Sequence, residues 1–277
     1  MFFESGDIRL HYQRLGEGDP QIVMLHGTTG WGQSFDLIAP HLAARHAVYL
    51  PDLRGHGRSM HIANAYRVVD FAEDIIALLA SLFESPTIIW GHSLGGLVGI
   101  VVAAMRPDLV AALVVEDAPL WLRRFSVKEG SVRAYTHFLK LHQLLPQTQD
   151  EAELTDLLRI DAPEALRRDG ESLAQRLVHL DPDVLRMSYD SSLMEQFDID
   201  IALQQIECPT LIIQADPIAG GALPHEDAQA AVAQLPNGTL HVVPNAGHII
   251  HREQPEQLAQ LLQRFLQSNH GAWHERQ

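Results

Sequence analysis

The chain has 277 residues, 46% hydrophobic and 20% charged, with a formal net charge of −15 and one cysteine, Cys208. That balance fits a globular chain with a large core rather than a disordered one. The acidity disfavours nucleic acid and anionic membranes as partners, and a lone cysteine precludes an internal disulfide. The opening MFFESGDIRLHYQ carries Glu4 and Asp7 where a signal peptide needs a basic and then an apolar stretch. No apolar run approaches the roughly 18 residues of a membrane span. A cytoplasmic location is therefore expected.

In chain order, the pattern alternates two periods. IRLHYQRLG reads as a surface strand ending in glycine, and QIVMLHG as a short apolar strand. FDLIAPHLAAR predicts a helix beginning or breaking near Pro40. HAVYLPDLRGHGRS predicts a strand and a glycine-rich loop. VVDFAEDIIALLASLF places Phe71, Ile75, Leu78, Leu79 and Leu82 at helical spacing. TIIWGHSLGG is a strand running into a turn, LVGIVVAAMRPDLV a buried helix ending near Pro107, and AALVVEDAPL another strand. From 120 to 200 strand signals vanish, and stretches such as AYTHFLKLHQLL and DEAELTDLLRI carry helical periodicity. PTLIIQADP, HEDAQAAVAQLP, TLHVVPNAGH and PEQLAQLLQRFLQ then resume the alternation as strand, helix, strand and helix. The expected fold is α/β, with a mostly parallel central sheet flanked by helices. Its core would comprise 1–119 and 201–277, with a helical insertion at 120–200. In such sheets ligands bind at the carboxyl ends of strands, where HGTTG, DLRGHGRS, GHSLGG and EDAPL all fall.

Ser93 stands between Gly91 and Gly95 where a strand turns into a helix. Small residues two positions to either side let strand and helix approach, and the hydroxyl is exposed above the sheet at the positive end of a helix. Together with HGTTG, DLRGHGRS and NAGHIIHREQPE in the same order, this motif resembles the α/β-hydrolase family over nearly the whole chain. The resemblance implies an α/β-hydrolase fold whose insertion is a cap over the site. It implies Ser93 as nucleophile and His248 as general base.

For the acid, the family commonly places Gly-x-x-Asp after the strand that PTLIIQADP represents. Counting from Ala215, that position is Ile218, which cannot orient an imidazole. Asp216 lies two residues earlier, so its side-chain direction along the strand is preserved, and it is preferred. Asp117, after AALVVE, is the alternative used by some relatives; of Glu116 and Asp117, at most one should face the site. Oxyanion donors are expected at Thr28 and Leu94. Gly27 would allow close backbone approach. Thr29, Trp31, His92, Trp121, Tyr135, Phe138 and Ile249 are candidate substrate contacts, with Leu139, His142, Met187 and Tyr189 as further inward candidates. His26 should brace its loop, and His251 and Arg252 are expected as surface or loop residues. Asp52, Arg54, His56 and Ser59 are read as a structural hydrogen-bonded loop.

No metal or organic cofactor is expected: there is no HExxH or Cys-x-x-Cys, and His270 and His274 are read as a solvated tail. The expected activity is serine-hydrolase cleavage of a small, largely apolar ester, thioester or lactone. A carbon–carbon bond hydrolase, a cofactor-free peroxidase and a ligand-binding receptor are the alternatives. The expected partner is a small molecule, on a monomer or homodimer.

Overall fold

The computed structural model describes residues 1–121, 131–170, 172–190 and 192–269. His270 and His274 lie outside them. Eight strands form one sheet in the order β1-β2-β4-β3-β5-β6-β7-β8. These are β1 (Phe2–Ser5), β2 (Ile8–Leu15), β3 (Ile22–Leu25), β4 (Val48–Pro51), β5 (Thr87–His92), β6 (Val110–Glu116), β7 (Thr210–Ala215) and β8 (Gly238–Val243). β1 and β2 pair antiparallel, as do β2 and β4; the other pairs are parallel. β1 is too short and too exposed to give a clear sequence pattern.

The central strands are apolar on both sides, and alternate residues feed two cores. Ile22, Met24, Ile88, Trp90, Ala112 and Val114 face one layer, with α1 (Ala39–Ala43) and α12 (Pro255–Ser268) against it. Val23, Leu25, Ile89, Leu113 and Val115 face the other, under α2 (Val68–Leu82) and α3 (Leu94–Met105). This is the period-two signature of a doubly covered parallel sheet. α12 starts on Pro255, which needs no N–H partner there, and buries Leu258, Leu261, Leu262 and Phe265. Each such side chain contributes about 1.5–3 kcal/mol on leaving water.

Between β6 and β7 lie α4 (Ser131–Leu144), α5 (Glu151–Asp161), α6 (Pro163–Asp169), α7 (Leu173–Leu177), α8 (Pro182–Tyr189) and α9 (Ile199–Gln205). Aspartates start three of them: Asp150, Asp181 and Asp198 each accept a backbone N–H of the first turn. The block is tied to the sheet loops. Tyr66 Oη donates to Asp181 Oδ2 at 2.6 Å, Asp181 N–H donates to Gly55 O at 2.8 Å, and Arg67 Nη1 donates to Gln196 Oε1 at 2.7 Å. After β7 come α10 (His225–Gln234) and, beyond β8, α11 (Ile250–Glu253). No helix among the described residues is long and apolar enough to cross a membrane.

Candidate active site

The site begins with the turn after β5. Ser93 has φ 52° and ψ −114°, a conformation that non-glycine residues adopt only where the surroundings impose it. The imposition is visible in its neighbours. A Cβ on Gly91 would stand 2.1 Å from Gly95 O, and one on Gly95 would stand 2.0 Å from Leu25 O. Only glycines let β5, α3 and β3 converge this closely. Ser93 N–H donates to Glu116 O at 2.9 Å, and Gly95 N–H donates to His26 O at 3.1 Å. The serine is thus anchored to the loops after β6 and β3.

Gly27 lies against Ser93, since a Cβ there would come within 3.2 Å of Ser93 Cβ and 2.9 Å of His92 Nδ1. The loop of Thr28 and Thr29 is held from behind by its carbonyls. His56 Nε2 sits 2.9 Å from Thr28 O, and Arg176 Nε of α7 donates to Thr29 O at 2.8 Å. His26 braces the loop as expected: Nδ1 donates to Gly27 O at 2.9 Å and Nε2 accepts from Leu53 N–H at 3.0 Å. Burial, and secondarily nearby His56, hold His26 well below the usual imidazole range, which suits a ring that both donates and accepts. Leu94 opens α3, in the helix turn whose N–H groups have no intrahelical acceptor.

The acid in contact with His248 is Asp117. Its Oδ2 accepts from His248 Nδ1 at 2.8 Å, and its carboxylate is fully buried. Ala222 N–H at 2.6 Å and Ala215 N–H at 3.0 Å hold it in place. Asp117 itself has φ 44°, so the chain turns sharply at the end of β6 to deliver it. Asp216, the preferred acid from spacing, faces solvent and accepts from Ile218 N–H and Asn245 N–H, closing its own turn. Those backbone donors hold its carboxyl below the usual range. A two-residue shift kept its direction along β7, but the chain leaves the strand at Ala215, so that direction no longer points at His248.

Glu116 has its own histidine. Its Oε1 accepts from His251 Nδ1 and His251 N–H, both at 2.9 Å, and its Oε2 accepts from Trp90 Nε1 at 2.9 Å. Burial alone would raise this carboxyl. The charge and hydrogen bonds of His251 outweigh it and bring Glu116 down to about 2. The two adjacent acids thus point to different partners, Asp117 to His248 and Glu116 to His251 and Trp90. His251 is 1% exposed and lines the cavity, so it is not a surface residue. Its Nε2 has no hydrogen-bond partner among the described residues. His92 lies between the two dyads, with ring centroids 4.6 Å from His248 and 4.9 Å from His251. Its Nε2 donates to His248 O at 2.9 Å. Burial and the neighbouring His248 push His92 well below the usual range, so the ring is neutral at pH 7. His92, Glu116 and His251 form the one group of three such donors close enough for a metal among the described residues. Both Glu116 oxygens are committed to His251 and Trp90, and His92 Nε2 to His248 O, so the arrangement fits a hydrogen-bonded core better than a metal site.

These groups surround a cavity of about 140 Å³. Gly27, Thr28, Thr29, His92, Ser93, Phe138, His248 and Ile249 line it, as the sequence suggested. Sequence reasoning missed Arg176 and Pro119, and placed Arg252 with His251 in a peripheral loop, whereas all of these reach the wall. Trp31 and Trp121 are not among its lining. Trp31 stacks on His179, centroids 6.4 Å apart, and Trp121 Nε1 donates to Asp200 Oδ1 at 3.1 Å. His142 pairs with Tyr189 Oη at 3.2 Å inside the helical block, and Met187 is buried there. The side chain of Tyr135 lies outside the described residues. The DLRGHGRS loop is structural: Asp52 accepts from Gly32, Arg58 and His11, and Arg54 forks onto Asp74 with two 2.6 Å bonds.

Residues 22–261 match the model of the alpha/beta hydrolase family. Pimeloyl-[acyl-carrier protein] methyl ester esterase of Klebsiella pneumoniae is 32% identical over 208 residues, 72% of this chain and 76% of its own. (E)-2-((N-methylformamido)methylene)succinate hydrolase of Acinetobacter baylyi is 26% identical over 281 residues, 95% of this chain and 96% of its own. The solved enol-lactonase of Burkholderia xenovorans superposes with a TM-score of 0.74 at 19% identity, covering 96% of this chain and all of its own. With its eight-stranded sheet and the turn after β5, the chain belongs to the alpha/beta hydrolase family and is a hydrolase.

Proposed function

We propose that the chain cleaves a small carboxylic ester, thioester or lactone through Ser93, His248 and Asp117. The observation that carries this reading is the 2.8 Å bond between buried Asp117 and His248, beside the same cavity as the strained Ser93. Asp117 fixes the tautomer that leaves His248 Nε2 unprotonated and stabilises the imidazolium formed during reaction. His248 takes the Ser93 proton as Oγ attacks the carbonyl carbon, and the carbonyl electron pair moves onto oxygen. Backbone N–H groups of Thr28 and Leu94 receive that oxyanion, each worth about 3–4 kcal/mol if the donor is well aimed. Collapse expels the alcohol, thiol or ring oxygen, which takes the proton from His248. Water, deprotonated by His248, then releases the acid from the acyl-serine. The helices between β6 and β7 act as a cap that limits water and substrate size. A methyl ester esterase among the similar proteins supports ester chemistry.

Intact-protein mass spectrometry after treatment with a fluorophosphonate tests this. One adduct on the wild type and none on a folded Ser93→Ala variant is the expected result. An adduct that persists in Ser93→Ala, or its absence from both, overturns the assignment.

A further inference from the structure

His92 stands between the residue that would attack and the residue that would take its proton. It is the last residue of β5, paired in register with Glu116 of β6, and Ser93 follows it directly. The bond from Ser93 N–H to Glu116 O fixes the chain just beyond it. The ring is 6% exposed and seated against Gly27, where a Cβ would come within 2.9 Å of Nδ1. It lies 4.6 Å from the His248 ring, with the two planes 48° apart. Its hydrogen bond goes instead to the main chain: Nε2 is 2.9 Å from His248 O. A carbonyl oxygen only accepts, so Nε2 carries the proton.

His248 sits in irregular chain between β8 and α11, outside any ladder or helix. Asp117 grips its ring at Nδ1 and so sets the tautomer. One bond to a ring does not fix the main chain that carries it. Glu253 Oε2 holds Gly247 N–H at 2.9 Å, one residue earlier, and His92 holds His248 itself. The two ties on His248 come from the ends of adjacent strands, Asp117 following β6 and His92 closing β5. Because His92 is bonded covalently to Ser93, a shift of the base is opposed from the backbone of the nucleophile. The titratable groups that act most on His92 are Glu116 from β6, His26 from the loop after β3, and His248 and His251 from the chain after β8. Arg176 of α7 and Arg252 of α11 reach the same cavity. Burial, and next His248, keep His92 well below the usual imidazole range against the pull of Glu116. A neutral ring adds no positive charge beside an imidazolium forming on His248.

We propose that His92 is a positioning residue for the hydrolysis, its Nε2–H holding the His248 main chain so that the imidazole meets Ser93 Oγ; this rests on the ester-hydrolase reading above. A displacement of about 1 Å in such a contact can cost about 10²-fold in rate.

The test compares wild type, His92→Phe and His92→Gln with p-nitrophenyl acetate and with a fluorophosphonate. His92→Phe keeps a planar ring and loses the donor. His92→Gln keeps a neutral N–H at similar reach. His92→Phe should lower kcat by about ten- to a hundredfold with KM within about twofold, and should slow labelling of Ser93 by the same factor. His92→Gln should recover most of both losses. Circular dichroism and urea unfolding check that each variant is folded. Wild-type rates in His92→Phe, equal losses in His92→Phe and His92→Gln, or a loss confined to KM each overturn the proposal. NMR of the imidazole nitrogens reads the same bond in wild type, and decides the matter should His92→Phe not fold. His92 should remain the neutral Nε2–H tautomer from about pH 5 to about pH 8. An Nδ1–H tautomer or a charged ring in that range overturns the proposal. If wild type itself forms no Ser93 adduct, the hydrolytic reading fails, and the proposal with it. An adduct that forms as fast in His92→Phe as in wild type leaves the hydrolytic reading in place and removes His92 from it.

Discussion

At the scale of single residues, the site turns on which carboxylate reaches His248. Asp117 does, through a 2.8 Å bond in full burial, and Asp216 closes a solvent-facing turn instead. Asp117→Asn should therefore lower kcat by about 10³–10⁴-fold, because the amide favours the wrong tautomer and offers the imidazolium no charge. Asp216→Asn should leave kcat within about twofold, because this half-buried side chain bonds only to its own turn and to Asn245, away from His248. Steady-state kinetics on an ester substrate separates the two. The proposed nucleophile and base were legible because each sits in a local motif, GHSLGG and NAGH, that resembles the family's in type and order. The carboxylate that bonds to His248 was not, because two strands end side by side with an aspartate near each tip. Only the path of the chain after β7, which lends Ala222 N–H to Asp117, decides between them.

At the scale of elements, strand-turn-helix after β5 depends on absent side chains. Gly95→Ala would press a methyl into Leu25 O, at 2.0 Å on an unrelaxed backbone. It should cost more than about 2 kcal/mol in urea unfolding, since backbone must move to relieve it. Gly220→Ala makes a useful contrast. Nothing lies within 4 Å, so only its φ of +105° is penalised, and the loss should be about 1–2 kcal/mol. A second dependence joins the loop after β4 to α2. Asp74→Ala leaves the buried Arg54 guanidinium without its partner carboxylate and should destabilise by about 3–5 kcal/mol in the same assay. The alternation of β3, β5, β6 and β7 was readable because both faces are covered, making each strand a short apolar run. The placement of Arg176 was not. An arginine on a short polar helix resembles any solvated one until α7 is seen against the Thr29 carbonyl.

At the scale of the molecule, buried charge makes stability depend on pH. Glu116 titrates near 2 in the folded chain against an ordinary value of 4.5. A carboxyl depressed by folding stabilises fully above its unfolded pKa, and that contribution is lost as pH falls through 4.5 toward 2. The depression corresponds to about 3 kcal/mol. Urea unfolding of wild type should weaken more steeply over that window than unfolding of Glu116→Gln, which should also be less stable at neutral pH because His251 Nδ1 and Trp90 Nε1 lose a buried carboxylate acceptor. The sheet covered on both faces followed from sequence period; among the described residues the helices between β6 and β7 run from Ser131 to Gln205. How that stretch is fastened did not follow from sequence. The fastenings are long-range pairs, Tyr66 with Asp181 and Arg67 with Gln196, separated by 115 and 129 positions.

Because the carboxylate that holds His248 hangs from β6, the tip of the loop after β7 takes no part in the proposed chemistry. Ile218 at that tip is 98% exposed, while Gly220 two positions on lines the cavity. The chain's single native thiol, Cys208, is buried. An Ile218→Cys variant would thus offer one addressable thiol at the rim of the pocket. A solvent-sensitive dye placed there would report occupancy of the cavity optically, without altering any group that bonds to Ser93, His248 or Asp117.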